Sequence, residues 1–182
     1  KALKEIEIEK PNLEKWIKKI KEDGKGKKYD CIVGVSGGID SSTALHYVVK
    51  FGLRPLAISM DNGYNTSVAD ENVLRLVEGI NKDLRERDIE RARLGEVVKF
   101  SNGVPLYRYV LNTSRYEEAR AAHLAAGVIN IEAVYDHLLM AMTYEIADQY
   151  KVKWVISGGN VSEESVMPES WSFTARDLTH IK

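Results

Sequence analysis

The sequence lacks most of the features that would assign it to a specialised class of protein. It has one cysteine, Cys31, so it can form no internal disulfide and offers no cysteine cluster for zinc. No apolar run approaches the roughly 20 residues that cross a bilayer, and the N-terminus has no signal-peptide core. The 26 basic and 27 acidic side chains nearly cancel, so no excess of positive charge favours nucleic acid. These absences predict a cytoplasmic protein with no membrane span and no nucleic-acid partner.

What is present is the composition of a globular protein. The chain has 182 residues, of which 44% are hydrophobic, enough for the core of one domain. It begins at Lys1 without a methionine and stops within "DLTHIK", so we expect a piece of a longer protein, incomplete at the C-terminus. We expect a helix and basic linker over residues 1–28 and the main domain over 29–182. The run "GKGKK" (24–28) is more typical of a solvated linker than of a phosphate-binding patch.

The spacing of apolar residues alternates between two periods along the chain. Short runs rich in β-branched residues predict strands over 29–35, 54–63, 106–112 and 152–160. Helical spacing predicts helices over 12–23, 41–51, 67–84, 114–127 and 134–151, with Ser67 and Asp70 capping the third. The charge-dense segment 85–105 is predicted to be a helix or an exposed excursion. Alternating strands and helices imply an α/β fold, a parallel doubly wound sheet with crossover helices.

A loop of small and polar residues follows the first predicted strand. It contains Ser36, Gly37, Gly38, Ile39, Asp40, Ser41 and Ser42. Glycines let backbone N–H groups approach an anion, the next helix offers its positive end, and the hydroxyls add donors. The loop has no lysine of the Walker pattern and no third glycine of the dinucleotide fingerprint. We interpret it as a phosphate cradle; the alternative is a plain turn between a strand and a helix.

Polar residues also follow two other predicted strands. Asp61 begins an Asp-Asn-Gly sequence, and Ser157-Gly158-Gly159-Asn160 precedes Glu163. In doubly wound sheets ligands bind beyond the carboxyl ends of the strands. A carboxylate such as Glu163 could join Asp40 in holding Mg²⁺, which prefers hard oxygen ligands. The alternatives are an ordinary surface turn at Asp61 and an exposed glutamate pair at 163–164.

The Ser-Gly-Gly-x-Asp-Ser loop resembles that of the PP-loop, or N-type ATP pyrophosphatase, superfamily. The resemblance implies a three-layer architecture of the adenine nucleotide alpha-hydrolase (HUP) type, ATP as cofactor, and a loop that holds pyrophosphate. It also implies that the backbone at Ser59 and Met60 binds adenine and that Asp61 faces the nucleotide or substrate. NAD synthetases of the superfamily have a similar G-x-N-x-x-E pattern, matched by Gly158, Asn160 and Glu163, which places Mg²⁺ between Asp40 and Glu163.

A closer resemblance joins "YDCIVGVSGGIDSS", "DNGYNT", "YDHLLMAMTYEIADQYKVKWVISGGN" and "EESVMPESW" to the N-acetyl-sugar amidotransferases of lipopolysaccharide O-antigen biosynthesis. In that family ATP adenylates the carbonyl of an acetamido group on a nucleotide-activated sugar, and ammonia displaces AMP. The resemblance gives Ser36, Asp40 and Asp136 catalytic roles, with Asp136 and His137 facing the sugar. The alternative for this pair is a helix cap and a packed histidine. Trp171 either stacks on a sugar or fills the core.

Three features depart from this family. Ile39 stands where many members have lysine, segment 85–105 resembles an insertion, and the paired-cysteine zinc element expected upstream is absent. Nothing resembles a glutaminase either, because Cys31 lies in an apolar strand. The resemblance therefore implies ammonia from a separate glutaminase subunit, and it allows a homo-oligomer.

Other functions remain as alternatives. The chain could be another amidating ligase of the superfamily, similar to NAD synthetase. A tRNA thiolase would need catalytic cysteines and a basic RNA-binding surface, which this sequence lacks. A regulatory module that binds ATP without chemistry would have no need for Asp40 and Glu163 as metal ligands.

Overall fold

The computed structural model describes residues 12–80, 97–98, 104–128 and 130–159. Five helices cover this part of the chain: α1 (Leu13–Asp23), α2 (Ile39–Lys50), α3 (Ser67–Ile80), α4 (Thr113–Ala125) and α5 (Ala133–Tyr150). Five strands accompany them: β1 (Cys31–Gly34), β2 (Pro55–Asp61), β3 (Val97–Val98), β4 (Leu106–Val110) and β5 (Val155–Ile156). Each predicted strand and helix of the described part is present.

The strands form one sheet in the order β3-β4-β2-β1-β5. Strand β1 pairs in parallel with β2 and β5, and β2 pairs in parallel with β4. The prediction of a parallel sheet with crossover helices is therefore confirmed. Strand β3, from the predicted excursion at 85–105, pairs antiparallel with β4 and adds an edge that the sequence pattern did not indicate.

Helices cover both faces of the sheet and give three layers. Buried residues of α1, α2 and α3 form one apolar cluster with Cys31 and Val33 of β1. Buried residues of α4 and α5 form a second cluster with Ile32 of the same strand. Successive residues of β1 thus point into different clusters and all three are fully buried, which explains why this strand is a continuous apolar run.

The strand order sets the position of the functional cleft. The chain runs from β1 to β2 to β4 in one direction across the sheet and then crosses to β5 on the other side of β1. Strands β1 and β5 are therefore the neighbours at which the strand order reverses. This is the switch point at which doubly wound sheets bind ligands.

Two local details differ from the predictions. Helix α2 begins at Ile39, two residues before the predicted start, because Gly38 is already its extended N-cap residue. The Thr66 hydroxyl accepts a hydrogen bond from the Ala69 amide at 3.2 Å at the start of α3. The predicted cap by Ser67 and Asp70 is wrong, because the Asp70 carboxylate accepts hydrogen bonds from Asn65 and Arg108 instead.

The N-terminal helix packs against the domain that follows it. Ile20 lies in the first apolar cluster, and the ring of Trp16 meets that of Trp154 edge-on at 5.6 Å. Arg54 donates hydrogen bonds to the carbonyls of Gly24 and Lys27 and to the buried Asp30 carboxylate, which ties the linker to the start of β2. Within the ranges described above, no helix combines the length and the apolar character needed to cross a membrane.

Candidate active site

The loop after β1 has a backbone that only glycine adopts easily. Gly37 has φ of +83°, in the left-handed region. A Cβ atom there would lie 2.3 Å from the carbonyl oxygen of Ala69, in the first turn of α3. The Asn72 side-chain amide donates a hydrogen bond to the Gly37 carbonyl at 3.2 Å. The loop is therefore held against α3 at this glycine.

Hydroxyl groups of the loop face one another across its turn. The Ser36 and Ser41 Oγ atoms are 3.2 Å apart, and Ser41 Oγ also accepts from the Ser36 amide. Ser42 Oγ donates to the Gly38 carbonyl at 2.8 Å. The amides of residues 39–41 begin α2, where no preceding helical carbonyl can accept from them. These amides and the positive end of the helix favour an anion at the loop.

The loop after β5 approaches the start of α2 closely. A Cβ atom on Gly158 would lie 2.7 Å from the Ser41 amide nitrogen. Ser157 Oγ accepts a hydrogen bond from the Gly159 amide at 3.0 Å. Gly158 is thus needed for close packing between the two loops, and Ser157 and Gly159 face the same space as Ser41.

A cavity of about 450 Å³ lies between these loops, β2 and α5. This volume is in the range of small-molecule sites. It brings together eight of the predicted site residues: Ser36, Gly38, Ile39, Asp40, Ser41, Ser59, Met60 and Gly158. Gly37, Ser42, Asp61 and Asp136 lie next to residues of its wall but do not line it. Asn160, Glu163 and Trp171 fall outside the described residues, so their roles stay predictions.

The backbone of Met60 points towards the cavity. Strand β1 ends beside Ile58, whose carbonyl accepts from the Val35 amide. Backbone groups two residues apart in a strand point to the same side, so those of Met60 point into the space beyond the end of β1. The Met60 carbonyl accepts a hydrogen bond there from the Asn65 side-chain amide at 3.4 Å. Ser59 lies one residue earlier and its backbone faces β4. Both residues line the cavity wall, and their binding of adenine stays a prediction.

A buried cluster of charges lies beside the cavity. Arg108 of β4 is 3% exposed, and its Nη2 atom is 2.6 Å from both Asp61 Oδ2 and Asp70 Oδ2. Burial alone would raise the pKa of Asp61, but hydrogen bonds from Arg108 and the Gly63 amide lower it below its ordinary value. Burial alone would lower the pKa of Arg108. The hydrogen bonds and charges of Asp70 and Asp61 outweigh this effect and raise the pKa above its ordinary value. The predicted Asp61 is thus paired with an arginine that the sequence analysis missed.

Helix α5 faces the cavity with one side only. Tyr135, Leu139 and Thr143, at helical spacing, line the wall. Asp136 is half-buried one residue further round the helix. Burial, and to a smaller extent the charge of Glu132, raise the pKa of Asp136 above its ordinary value, while His137 opposes the shift. Asp136 therefore lies beside the cavity in surroundings that favour its protonated form.

The residues at the cavity mouth suit Mg²⁺ only in part. Asp40 is exposed, lines the cavity, and its carboxylate accepts no hydrogen bond within the described ranges. Its oxygens are of the kind that Mg²⁺ prefers. Across residues 12–80, 97–98, 104–128 and 130–159, no three Asp, Glu, His or Cys side chains cluster as metal ligands. Asp70 also lines the cavity but is held by Arg108 and Asn65, so Asp40 is the carboxylate of this wall whose oxygens are free for a metal in the described part of the chain.

Comparisons with known proteins agree on the fold. No protein-family model matches the sequence. An uncharacterized protein of Methanocaldococcus jannaschii is 40% identical over 80 residues, which are 41% of this chain and 29% of that protein. The structure resembles NMN synthetase from Francisella tularensis, with a TM-score of 0.52 and 21% identity over 82% of this chain and 56% of the other. It also resembles the glutamine-dependent NAD⁺ synthetase from Acinetobacter baumannii, solved with ADP, with a TM-score of 0.52 and 20% identity over 80% and 24% of the two chains.

The two structural likenesses confirm the predicted three-layer fold, which this chain shares with NMN and NAD⁺ synthetases. The chain spans 29% of the curated relative and little more than half of NMN synthetase. The narrower resemblance to N-acetyl-sugar amidotransferases stays a prediction.

Proposed function

We propose that this chain is the ATP-binding part of an amidating ligase that releases AMP and pyrophosphate. The observation that carries the proposal is the convergence of three strand ends on one cavity. The phosphate loop supplies amides and hydroxyls, β2 supplies the backbone amide of Met60, and the loop after β5 supplies Ser157 and Gly158. These groups match the phosphate and base ends of ATP.

The residues act mainly by binding a leaving group. The amides of residues 39–41 and the hydroxyls of Ser36 and Ser41 would hold the β- and γ-phosphates, which leave together as pyrophosphate. Their hydrogen bonds strengthen as negative charge develops on the oxygen that joins the α- and β-phosphorus atoms and leaves with pyrophosphate. The N–H of Met60 would donate to the edge of adenine, beside the Met60 carbonyl that accepts from Asn65. When bound, Mg²⁺ held by Asp40 and the predicted Glu163 would neutralise phosphate charge.

The acceptor that the proposal assigns is the acetamido group of a nucleotide-activated sugar used for surface polysaccharide. Its carbonyl oxygen attacks the α-phosphorus of ATP, and the bond from that phosphorus to pyrophosphate breaks. Ammonia then adds to the carbonyl carbon, and AMP leaves with the original oxygen, so the amide becomes an acetamidine. The proposal gives Asp136, which follows Tyr135 of the cavity wall and has a raised pKa, the exchange of protons with the acceptor.

Ammonia would come from a separate glutaminase subunit. A glutaminase needs a reactive thiolate. Cys31 is fully buried, and burial raises the pKa of its thiol to about 12. The chain's one cysteine is therefore unsuited to attack glutamine.

A panel of acceptors tests the acceptor class. The full-length protein is incubated with ATP, Mg²⁺ and ammonia, and with UDP- or CMP-linked acetamido sugars or with deamido-NAD, whose acceptor is a carboxylate. We expect AMP and an acetamidine product with one of the sugars. AMP formation with the carboxylate acceptor alone would instead assign the chain to NAD-synthetase-like ligases, the second candidate. ATP binding without turnover across the panel would identify a regulatory module.

A further inference from the structure

We propose that Arg108 and Asn72 are positioning residues which fix the phosphate loop through helix α3. Neither residue lines the cavity. Both belong to a continuous series of contacts that runs from the interior of β4 to Gly37. The proposal rests on the ATP site proposed above for its functional meaning, but its structural claim concerns contacts between described residues.

The first contact in the series is made by a buried arginine. Arg108 holds Asp61 at the end of β2 and Asp70 in the first turn of α3 with the same nitrogen, Nη2. Its Nε atom is buried with no hydrogen-bond partner in the described part of the chain. An unsatisfied buried polar group destabilises the folded state, and apolar residues often replace buried ion pairs without loss of stability. Stability alone is therefore a weak reason for an arginine here.

The second contact fixes the start of α3. Asp70 accepts from Arg108 with Oδ2 and from the Asn65 side chain with Oδ1 at 3.1 Å. Thr66 caps the same turn through the Ala69 amide. The carboxylate of Asp70 is thus held from two sides, and the turn that carries it has its position set relative to β2 and β4.

The third contact reaches the phosphate loop. The Ala69 carbonyl lies so close to Gly37 that any Cβ there would collide with it. One turn further along α3, Asn72 donates to the Gly37 carbonyl. Because Gly37 has no Cβ, rotation about its ψ angle is little restricted, and this hydrogen bond selects one orientation of the peptide after Gly37. The amide of that peptide, on Gly38, donates to Ser36 Oγ at 3.4 Å, so the same orientation also fixes a hydroxyl of the phosphate loop.

Five variants of the full-length protein, two of them controls, test the proposal. Asn72→Ala removes the last contact without disturbing the buried cluster. Its matched control is Asn112→Ala, which removes one hydrogen bond to the Arg115 amide at the N-cap of α4. Arg108→Met removes the first contact, and Arg108→Lys keeps a cation one bond short of Nη2. Arg75→Met, at the exposed ion pair with Glu71 on α3, is the control for losing an arginine.

We expect three results. Amide hydrogen exchange over residues 36–42, measured without nucleotide, accelerates in Asn72→Ala and not in Asn112→Ala. The dissociation constant for ATP, from calorimetry, rises about 3- to 10-fold in Asn72→Ala, the loss expected for one hydrogen bond. Arg108→Met also accelerates amide exchange over residues 36–42 and raises the dissociation constant for ATP. Arg108→Lys shows smaller changes in both measurements. In steady-state assays the effect falls on KM for ATP more than on kcat.

Two outcomes would overturn the proposal. One is equal loop exchange and equal ATP affinity in Asn72→Ala and Asn112→Ala. The other, if Arg108→Met folds, is a fall in melting temperature with unchanged loop exchange, which would give Arg108 a structural role only. If wild-type protein does not bind ATP, the proposed function fails, and the exchange comparison still decides whether α3 positions the loop.

Discussion

At the scale of the residue, Gly37 shows why the phosphate loop uses glycine. Two separate constraints meet there: the left-handed backbone and the Ala69 carbonyl 2.3 Å from any Cβ. Gly26 shares the first constraint, with φ of +74°, but has nothing within 4 Å of its Cβ position. A comparison of substitutions at the two glycines therefore distinguishes the free-energy cost of the left-handed backbone from that of the steric collision.

The residue-scale prediction compares Gly37→Ala with Gly26→Ala. Both changes place alanine in the left-handed region, at a cost of about 1–2 kcal/mol. Gly37→Ala must in addition displace the first turn of α3 or the loop. We expect it to lower the free energy of unfolding further and to raise the dissociation constant for ATP by at least about tenfold, while Gly26→Ala leaves ATP affinity unchanged. Urea unfolding and calorimetric titration measure the two effects, and an equal loss of ATP affinity in both variants would contradict the account.

The two kinds of site residue differ in how far the sequence can predict them. Ser36 and Asp40 belong to one local motif, because a strand end, glycines and a helix start form a phosphate cradle within seven residues. Arg108 carries no such signal, since its partners Asp61 and Asp70 are 47 and 38 residues away. The segment "LYRYV" shows that Arg108 is a charged residue within an apolar strand. The sequence does not indicate which carboxylates it pairs with.

At the scale of the element, α5 divides its residues between the cavity and the second apolar cluster. Tyr135, Leu139 and Met140 line the cavity, whereas Val134 and Met142 are buried in the cluster. Asp136 comes one residue after Tyr135 and four before Met140, two residues of the cavity wall. Lost hydration in its half-buried position is the main cause of its raised pKa, the charge of Glu132 adds to the rise, and His137 opposes it.

The element-scale prediction concerns Asp136→Asn. A carboxyl group with a raised pKa in the folded state binds its proton more tightly there than in the unfolded chain. Its stabilising contribution is therefore present below the unfolded value of 3.8 and is lost as the pH rises through the folded value. We expect Asp136→Asn, which stays neutral, to raise the free energy of unfolding at pH 7 relative to wild type.

Urea unfolding between pH 3 and pH 8 checks this result. The gain from Asp136→Asn should shrink towards zero near pH 3, where the wild-type carboxyl group is protonated in both states. Asp148→Asn, an 83% exposed position at the other end of α5, should show no comparable gain. A gain from Asp136→Asn that does not change with pH would argue against the assigned cause.

Element boundaries were less predictable than element types. Strand β5 spans two residues where nine were predicted, and β3 consists of two residues within a charge-dense segment. Such short strands form because a neighbouring strand supplies their hydrogen bonds. The spacing of apolar residues along the sequence indicates which side chains are buried. It contains no information about the strand that lies alongside.

At the scale of the whole molecule, the cleft results from the order of the strands. Alternating strands and helices predicted a parallel sheet, but they left open which side of β1 the last strand would join. Pairing of Ile32 with Val155 and Val33 with Ile156 decides this. That pairing brings Gly158 against the start of α2 and turns two separate glycine-containing segments into one cavity wall.

The central claim is that this cavity splits ATP into AMP and pyrophosphate, with Asp40 as a principal contact to the metal-bound phosphates. The most direct test is ³¹P NMR of the products formed from ATP, Mg²⁺, ammonia and the acetamido sugar nucleotide by Asp40→Asn, Asp148→Asn and wild type. We predict AMP and pyrophosphate from wild type and Asp148→Asn, and a fall of about 100-fold or more in Asp40→Asn with unchanged folding. ADP and phosphate as products, or near-normal AMP formation by Asp40→Asn, would contradict the account.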